Sequence, residues 1–206
     1  MIECRNLTKS YGELEAVSDF SLHLEEHEFI SILGPSGCGK STLLRLIAGL
    51  EVPSKGQVLL EKREISGEKI ILPPERRKFG MIFQDFALFP HLSIEKNIAY
   101  GVSGSRSEKQ KRVVELLKLV SLQHLASKMP HQISGGEQQR IAVARSLAPR
   151  PRLILMDEPF SNLDYQLRLQ LRREIRGILK HEGVATILVT HDQVEAITFS
   201  ERVLLM

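Results

Sequence analysis

Length, composition and charge exclude several classes of protein. The 206 residues suffice for one domain with a hydrophobic core, and 42% apolar and 26% charged residues are ordinary for a soluble globular protein. A net charge of +3 is too small to indicate a nucleic-acid partner, and no apolar run approaches the roughly 20 residues of a membrane helix.

The cysteines and the first residues indicate a reducing compartment. Cys38 lies inside a glycine-rich segment, so a structural disulfide with Cys4 is not expected. Residues 1–16 carry charges and lack the apolar stretch of a signal peptide. Any role at a membrane would therefore depend on a partner protein.

The first part of the chain predicts strands that lead to a helix. Apolar and polar residues alternate before a buried strand at Phe29–Leu33, which favours short antiparallel strands in that region. A helix is predicted next, in "KSTLLRLIAGL", and Gly49 and Pro53 should end it. Residues 56–83 are typical of further short strands, interrupted at "PPERRK".

Residues from about 85 to 150 predict helices instead. Apolar residues recur on one face of two helical segments in this stretch. They are Val113, Leu116, Leu117 and Val120 in the first segment, and Ile141, Ala144 and Leu147 in the second. We expect residues 85–150 to form a helical subdomain inserted into the rest of the domain.

The last part of the chain returns to alternating strands and helices. "PRLILMDEP" and "VATILVTHD" predict buried strands on either side of a helix at about 165–180. The apolar stripe of that helix should consist of Leu167, Leu171, Ile175 and Leu179. Its arginines, at positions 168, 172, 173 and 176, are expected on the solvated face.

A glycine-rich loop follows the strand at Phe29–Leu33. "GPSGCGKST" fits the pattern G-x-x-x-x-G-K-[ST], whose backbone N–H groups and following helix hold phosphate oxygens. Lys40 is expected to neutralise the β- and γ-phosphates, and Ser41 to ligate Mg²⁺. The predicted nucleotide-binding residues of this loop are Gly34, Pro35, Ser36, Gly37, Cys38, Gly39, Lys40, Ser41 and Thr42.

Two carboxylates end the strand in "LILMDEP". Ligands of open α/β sheets bind at this edge, outside the carboxyl ends of the strands. Asp157 is expected to accept from Mg²⁺-bound water, and Glu158 to polarise the attacking water as a general base. Taken alone, such a pair could instead cap a neighbouring helix, but the phosphate loop favours the catalytic interpretation.

Gln84 and His191 each follow an apolar run, so both should lie at the same sheet edge. Gln84 could bridge metal, water and protein, and His191 could hydrogen-bond the γ-phosphate. A single glutamine or histidine at a strand end is more often structural, and only the shared edge favours these roles. The predicted catalytic set is Glu158, His191, Gln84 and Lys40, and the predicted Mg²⁺ set is Ser41, Gln84 and Asp157.

The predicted fold class is α/β. We expect a P-loop NTPase core, with a mainly parallel sheet flanked by helices, an N-terminal antiparallel β part and an inserted α-helical subdomain. Residues 1–206 should form a single domain, in which residues 1–84 and 151–206 make the nucleotide-binding core.

Together these motifs resemble the ATP-binding cassette (ABC) ATPases of membrane transporters. "GPSGCGKST", Gln84, "SGGEQQR", "LILMDEP", "SNLD" and "THD" follow in the order and spacing of that family, over essentially the whole chain. The second glycine turn is the diagnostic motif, because other phosphate-loop proteins lack it. The resemblance implies hydrolysis of ATP to ADP and phosphate, with ATP and Mg²⁺ as the ligands.

The resemblance also implies a dimer in which each ATP lies between the loop of one subunit and the "SGG" turn of the other. The residues implied to contact the partner's nucleotide are Ser134, Gly135, Gly136 and Glu137, and the first three should expose N–H groups at a helix start. Asp164 would lie along the dimer seam. Tyr11 would stack on adenine, although alone it would be interpreted as a core or edge residue. A homodimer is expected, and a pair of different cassettes stays open.

The segment after Gln84 resembles importer ATPases for ferric iron, spermidine/putrescine, sulfate, molybdate or maltose. There it lines a groove for a helix of the membrane subunit, and the alternative is ordinary packing of the helical subdomain. The implied apolar contacts are Phe86, Leu88, Phe89 and Leu92. Ferric iron is the first expected cargo, followed by a polyamine.

The importer resemblance implies a set of partners and a location. We expect integral membrane permease subunits, an extracytoplasmic solute-binding protein and no nucleic acid, with the chain as a peripheral subunit on the cytoplasmic face of the cell membrane. Because the sequence stops at "ERVLLM", the C-terminal regulatory domain of many such relatives is expected to be absent. The alternative function is a soluble cassette ATPase that acts on DNA or ribosomes.

Overall fold

Strands and helices alternate along most of the chain. The structure, a computed structural model, describes residues 1–67 and 70–206. Its strands are β1 (Ile2–Tyr11), β2 (Leu14–Leu24), β3 (Phe29–Leu33), β4 (Lys55–Leu60), β5 (Arg63–Ser66), β6 (Phe79–Ile82), β7 (Leu153–Asp157), β8 (Ala185–Thr190) and β9 (Arg202–Leu205). Its α-helices are α1 (Lys40–Ala48), α2 (Pro74–Arg77), α3 (Ile94–Ala99), α4 (Arg106–Leu119), α5 (Gly135–Leu147), α6 (Tyr165–His181) and α7 (Gln193–Phe199).

The strands form an antiparallel sheet and a parallel sheet. The antiparallel sheet has four strands in the order β2-β1-β4-β5. The parallel sheet has five strands in the order β6-β7-β8-β3-β9. The mainly parallel sheet and the antiparallel N-terminal part are therefore present as predicted.

Buried apolar runs explain the parallel sheet. Every residue of β8 is buried, as are the first four residues of β3 and of β7, a pattern typical of strands covered on both faces. One hydrophobic cluster joins Ile32 of β3 to Leu43 of α1, and a second joins Ile154 of β7 to Ile141 of α5. Because the five strands are parallel, their carboxyl ends lie at one edge of the sheet.

Residues 85–150 contribute α3, α4 and α5, of which α5 packs on β6 of the parallel sheet, while α3 and α4 pack on α5. The residues expected on the apolar faces of α4 and α5 are all buried. They share one hydrophobic cluster with Ile154 of β7 and Leu171 of α6. The boundary between a nucleotide-binding core and a helical subdomain stays a prediction.

The solvated arginine face predicted for α6 is wrong for most of its members. Arg172 is only 3% exposed and donates a hydrogen bond to Thr198 Oγ1 at 2.9 Å. Arg168 and Arg176 are half-buried and donate to backbone carbonyl oxygens. Arg173 alone of the four is exposed as predicted. The reason is that α7 supplies acceptors for Arg172 and Arg176, and the turn before α6 supplies them for Arg168.

The segment after β6 packs into the helical region. Phe86 is only 8% exposed and belongs to the same hydrophobic cluster, so its prediction as a groove contact is wrong. Phe86 and Ala87 have φ angles of 61° and 47°, which turn the chain sharply. Arg145 of α5 holds the turn, since it donates to the carbonyl oxygens of both residues. The other three predicted contacts, Leu88, Phe89 and Leu92, are half-buried.

Candidate functional site

The predicted phosphate loop connects the carboxyl end of β3 to the first turn of α1. Gly39, the residue before α1, has a φ of 100°, and a Cβ at this position would collide with the carbonyl oxygen of Ala16 in β2. The N–H of Gly34 donates to Thr190 O of β8 at 3.3 Å. The loop is therefore fixed between β2 and β8, and position 39 requires a glycine.

Lys40 is buried, and its ammonium group lies inside the loop. The side chain is 4% exposed, and Nζ donates to Gly34 O at 2.9 Å and to Pro35 O at 2.8 Å. Nζ also lies 3.7 Å from Oε1 of Glu158. A buried ammonium requires such acceptors and a nearby negative charge. The arrangement concentrates positive charge between the loop and the end of β7.

Two oxygen-bearing side chains meet at the same edge of the sheet. Ser41 Oγ donates to Asp157 Oδ1 at 2.7 Å, although 116 positions separate these residues. Burial raises the pKa of Asp157, the hydrogen bond from Ser41 opposes this shift, and the negative charge of Glu158 adds to it. A cation at these oxygens would offset the cost of burying the Asp157 carboxylate.

Glu158 and His191 are brought into direct contact. Glu158 follows β7 with a φ of 44°, and its N–H donates to Val189 O at 3.1 Å. Its Oε2 lies 3.0 Å from Nδ1 of His191, which follows β8. The predicted general base and the predicted γ-phosphate ligand therefore share a hydrogen bond, beside Lys40.

Gln84 lies just beyond the end of β6 and is exposed. Its backbone carbonyl accepts from Asn162 Nδ2 at 3.1 Å, which ties it to the segment after Glu158. Within residues 1–67 and 70–206, no hydrogen bond joins Gln84 to Ser41 or Asp157. The structure thus places Gln84 at the predicted sheet edge and leaves its contact with the Mg²⁺ set as a prediction.

Tyr11 ends β1 and is 46% exposed. Lys9 Nζ lies 4.8 Å from the centroid of its ring, a cation–π distance. Tyr11 pairs with Leu14 across the β1–β2 turn, and the same strand β2 presents Ala16 to the glycine loop. The exposed aromatic ring therefore belongs to the hairpin that packs on the loop.

The second glycine turn begins α5, but Ser134 is engaged differently from the prediction. Its N–H donates to Glu137 Oε2 at 2.7 Å, while its Oγ accepts from Glu137 N at 3.4 Å. Ser134 Oγ also donates to Glu137 Oε2 at 2.7 Å, and this hydrogen bond, together with the one from the Ser134 N–H, lowers the pKa of Glu137. The expectation that Ser134 exposes a free N–H is wrong, because the capping box uses that group. Gly135 and Gly136 keep the N–H groups that have no acceptor within the helix.

Among the residues that the structure describes, the second turn contacts α6 rather than the phosphate loop. A Cβ on Gly135 would lie 3.5 Å from Leu163, and a Cβ on Gly136 would lie 3.1 Å from Leu167. Asp164 is the N-cap of α6, and its Oδ1 accepts from Leu167 N at 3.0 Å. The turn and Asp164 are therefore neighbours, separate from the hydrogen-bonded groups at the sheet edge.

Sequence reasoning missed the residues that hold these groups in place. Arg168 donates to two backbone carbonyls of the turn before α6. The buried carboxylate of Glu195 accepts from Thr190 Oγ1, and the buried Gln139 donates to Pro159 O at 2.8 Å. No local signal identified them, because Arg168 was predicted on a solvated face, and Gln139 and Glu195 belonged to no predicted apolar face.

The donor set fits a magnesium ion bound together with phosphates. The described residues contain no group of three or more His, Cys, Asp or Glu side chains that could hold a metal. Ser41 and Asp157 offer two hard oxygen donors side by side. Mg²⁺ typically uses one or two carboxylates together with waters and substrate phosphates, so this pair suits it.

A family model described as "ABC transporter" matches residues 17–161. The chain belongs to the ABC transporter family. The matched range contains the phosphate loop, the second glycine turn and both carboxylates of "LILMDEP". The family predicted from the motifs is thus confirmed.

Two curated relatives match the whole of this cassette. It is 50% identical over 207 residues to the Fe(3+) ions import ATP-binding protein FbpC 2 of Pectobacterium atrosepticum. It is 48% identical over 209 residues to the putrescine transport ATP-binding protein PotG of Escherichia coli. The chain spans 60% and 54% of the length of these two relatives.

Solved cassettes share the fold. The ATP-binding cassette MJ0796, in a dimeric post-hydrolysis state bound to ADP and Pi, matches with a TM-score of 0.85 and 34% identity, over 100% of this chain and 94% of that one. CbiO1 from Clostridium perfringens, part of the ABC transporter complex cbiONQ, matches with a TM-score of 0.87 and 27% identity, over 100% of this chain and 84% of that one. The predicted α/β P-loop NTPase fold class is confirmed. In the part of the cassette that the structure describes, no helix is both long and apolar enough to span a membrane.

Proposed function

We propose that this cassette is the ATP-binding and ATP-hydrolysing energy-coupling subunit of a membrane transporter that imports ferric iron or another small solute. One observation carries the proposal: five groups suited to phosphate chemistry converge at one edge of the parallel sheet. They are Lys40, Ser41, Asp157, Glu158 and His191. The names of the relatives, which specify ferric iron import and putrescine transport, support the transport role.

ATP binding is assigned to the glycine loop and the adjoining hairpin. The backbone N–H groups of residues 36–42, up to the start of α1, hold the phosphate oxygens, whereas the Gly34 N–H is used by Thr190 O. Lys40 exchanges its two carbonyl acceptors for β- and γ-phosphate oxygens. Tyr11 stacks on the adenine, and because stacking is tolerant of the base, we expect weak discrimination among nucleotides.

Ser41 and Asp157 would hold Mg²⁺, with Gln84 as a further oxygen donor from the end of β6. The bound ion supplies neutralisation of phosphate charge. The hydrogen bond of 2.7 Å between Ser41 and Asp157 keeps both oxygens together before they are needed as ligands. Burial raises the pKa of Asp157, because a buried carboxylate without a positive partner is unfavourable. A bound cation would supply that partner in place of the hydrogen bond from Ser41.

Glu158 acts as the general base. Its carboxylate takes a proton from water as the water oxygen bonds to the γ-phosphorus, and the bond from that phosphorus to the bridging oxygen of ADP breaks. His191 orients this carboxylate through Nδ1 and offers its second ring nitrogen to the γ-phosphate. Lys40, 3.7 Å from Glu158, stabilises the negative charge of the transferred group.

A second cassette completes each site. The turn at 134–137 and Asp164 are neighbours on α5 and α6, and no hydrogen bond within the described residues joins them to the phosphate loop. We assign the N–H groups of Gly135 and Gly136 to a nucleotide held by the partner copy, with Ser134 and Glu137 at its edge. ATP then closes a head-to-tail dimer and hydrolysis reopens it. The dimeric state of MJ0796 supports this arrangement.

The transport role implies membrane partners. Permease subunits would span the bilayer, and this cassette would bind them from the cytoplasmic face as a peripheral subunit. The half-buried Leu88, Phe89 and Leu92 are the surface proposed to receive a permease helix. An extracytoplasmic solute-binding protein would deliver the cargo. The description of cbiO1 as part of a transporter complex supports an association with permeases.

Three experiments test the proposal. The purified protein should release phosphate from ATP in the presence of Mg²⁺ and not in its absence, and a lack of release under both conditions would refute the ATPase assignment. Affinity purification from solubilised membranes should recover an integral membrane protein, and deletion of the gene should reduce uptake of labelled ferric iron. ATP-dependent recovery of DNA or ribosomes instead would favour the soluble alternative.

A further inference from the structure

One guanidinium group joins two segments of the site that lie far apart in the sequence. Nη2 of Arg168, in the first turns of α6, donates to Ser161 O at 3.3 Å and to Leu163 O at 2.9 Å. Nη1 of the same side chain lies 3.8 Å from Asp192 Oδ2. Ser161 and Leu163 belong to the turn that follows Glu158, whereas Asp192 directly follows His191.

The turn at 161–164 depends on this contact for its shape. Its beginning is tied to the catalytic segment, since Ser161 donates to Glu158 O from both its N–H, at 3.2 Å, and its Oγ, at 2.9 Å. Its end is tied to α6 through the Asp164 cap. Between these points the carbonyl oxygens of residues 161 and 163 accept from Arg168, which fixes the path of the segment proposed to face the partner cassette.

Hydrogen bonds also fix Thr190 and Asp192, the residues on either side of His191. Asp192 N donates to Thr190 Oγ1 at 3.0 Å, and Asp192 Oδ1 accepts from Glu195 N at 3.0 Å. Thr190 Oγ1 in turn donates to the buried carboxylate of Glu195. Because His191 stands between Thr190 and Asp192, a shift of the Asp192 carboxylate displaces the histidine backbone.

Arginine is suited to this place because its planar fork reaches several acceptors in fixed directions. The side chain of Arg168 is 23% exposed, and its Nε is buried without a hydrogen-bond partner among the described residues. A buried unpaired donor is costly and requires an explanation. The orientation that leaves Nε unpaired is the one that lets the terminal nitrogens reach the turn and Asp192 together.

We propose that Arg168 is a positioning residue that couples the partner-facing turn at 161–164 to His191. When a partner cassette binds and displaces the turn, the guanidinium group of Arg168 moves with it and shifts Asp192. This shift places the His191 ring in contact with Glu158. The inference rests on the proposed ATPase function and deepens it, because it makes the position of His191 depend on the neighbouring subunit.

The test compares Arg168→Met with Arg168→Lys and with Arg173→Met, a matched control at an exposed arginine of the same helix. ATP affinity, kcat and thermal midpoint are measured for each variant, and the imidazole Cε1–Hε1 resonance of His191 is followed by NMR. We expect Arg168→Met to lower kcat by about tenfold or more, because a misplaced catalytic group is costly, while the Kd for ATP stays within about twofold. Its His191 resonance should shift.

The conservative variant and the control separate coupling from stability. Lysine keeps the charge opposite Asp192 but cannot reach both carbonyls, so Arg168→Lys should give an intermediate kcat and an intermediate shift of the His191 resonance. Arg173→Met should match the unaltered protein in both readouts. If Arg168→Met does not fold, Arg168→Lys and Asp192→Asn carry the test, and Asp192→Asn should move the same resonance.

Two results would overturn the inference: a folded Arg168→Met protein whose kcat is within about twofold of the unaltered protein, or one whose His191 resonance is unmoved. Failure of the proposed function looks different, because then the unaltered protein and Arg173→Met release no phosphate either. In that case only the NMR comparison decides whether Arg168 positions the His191 ring. An unshifted His191 resonance in Arg168→Met would refute the proposed coupling.

Discussion

Glu158 Oε2 lies 3.0 Å from His191 Nδ1, and these two residues each follow the end of a buried strand. The other carboxylate oxygen of Glu158 lies 3.7 Å from Lys40 Nζ. The carboxylate is therefore held from both sides, by an ammonium group and by an imidazole. These two contacts fix the orientation of the Glu158 carboxylate. A general base requires such a fixed position.

Replacement of Glu158 by glutamine should remove the base and keep the shape. We expect kcat to fall by about 10²–10⁴-fold, the usual contribution of a positioned general base. ATP binding should persist, so the variant should accumulate as an ATP-stabilised dimer. Phosphate release and size-exclusion chromatography measure both effects, with Glu115→Gln on the exposed side of α4 as the control. Normal turnover by Glu158→Gln would show that the base has been assigned wrongly.

Lys40→Ala should weaken nucleotide binding. A hydrogen bond to a charged group contributes about 1.5–3 kcal/mol, so we expect the Kd for ATP to rise by roughly 10–100-fold. The change also leaves the carbonyl oxygens of Gly34 and Pro35 without their donor, which should disorder the loop. Calorimetric titration of the variant and of Lys111→Ala, an exposed control, measures the change. An unaltered affinity would remove the phosphate-loop assignment.

The sequence could predict the position of those functional side chains that lie at or near the end of a buried strand. Lys40, Asp157, Glu158 and His191 each lie directly after or close to a buried apolar run, and parallel strands bring such positions to one edge. The contact partners were not predictable in the same way. That Ser41 donates to Asp157 depends on how far α1 stands from β7, which no local pattern encodes.

Two errors of the sequence interpretation, at Arg172 and Phe86, have a common cause. Arg172 was predicted on a solvated face because arginine is usually exposed, yet α7 covers it and supplies an acceptor. Phe86 was predicted in a groove because it follows Gln84, yet a left-handed turn places it in the hydrophobic cluster. In both cases tertiary packing by a distant element decided the outcome, and single-sequence patterns carry no information about such packing.

Two helical glycines, Gly177 in the interior of α6 and Gly136 in the first turn of α5, should respond differently to alanine. Gly177 lies inside α6, where a Cβ would meet nothing within 4 Å, so Gly177→Ala should raise the free energy of unfolding by about 0.5–1 kcal/mol. In Gly136→Ala the Cβ would lie 3.1 Å from Leu167 and 3.2 Å from Leu171, so the gain should be absent or reversed. Urea unfolding of both variants makes the comparison. Equal stabilisation by the two changes would mean that the turn at the start of α5 is less tightly packed than described.

The buried carboxylate of Glu195 is tested by the pH dependence of the free energy of unfolding, compared between Glu195→Gln and the unaltered protein. Burial raises the pKa of Glu195 and the charge of Asp192 adds to this shift, whereas the hydrogen bond from Thr190 and the charges of Arg172 and Arg168 oppose it. Because the folded-state pKa exceeds the unfolded one, the unfolded chain ionises first as pH rises, and the protein loses stability over that range.

A glutamine at position 195 does not ionise, so the variant does not lose stability in this way as pH rises. The free energy of unfolding of Glu195→Gln, relative to that of the unaltered protein, should therefore increase as pH rises above about 4.5, the ordinary pKa of a glutamate. Glu13→Gln, at an exposed turn, should show no such trend. A relative stability of Glu195→Gln that stays flat or falls with pH would contradict the burial of this carboxylate in the folded protein.

The most direct measurement of the composite site is ATP turnover after two inactive chains are mixed. Lys40→Ala damages the phosphate loop and keeps the second turn, whereas Ser134→Arg places a bulky cation in the second turn and keeps the loop. In a head-to-tail dimer of one chain of each kind, one site retains an intact loop and an intact turn. The account predicts that neither chain turns over ATP alone and that the mixture does. Turnover by the Ser134→Arg chain alone, at the rate of the unaltered protein, or a mixture no more active than its parts, would contradict it.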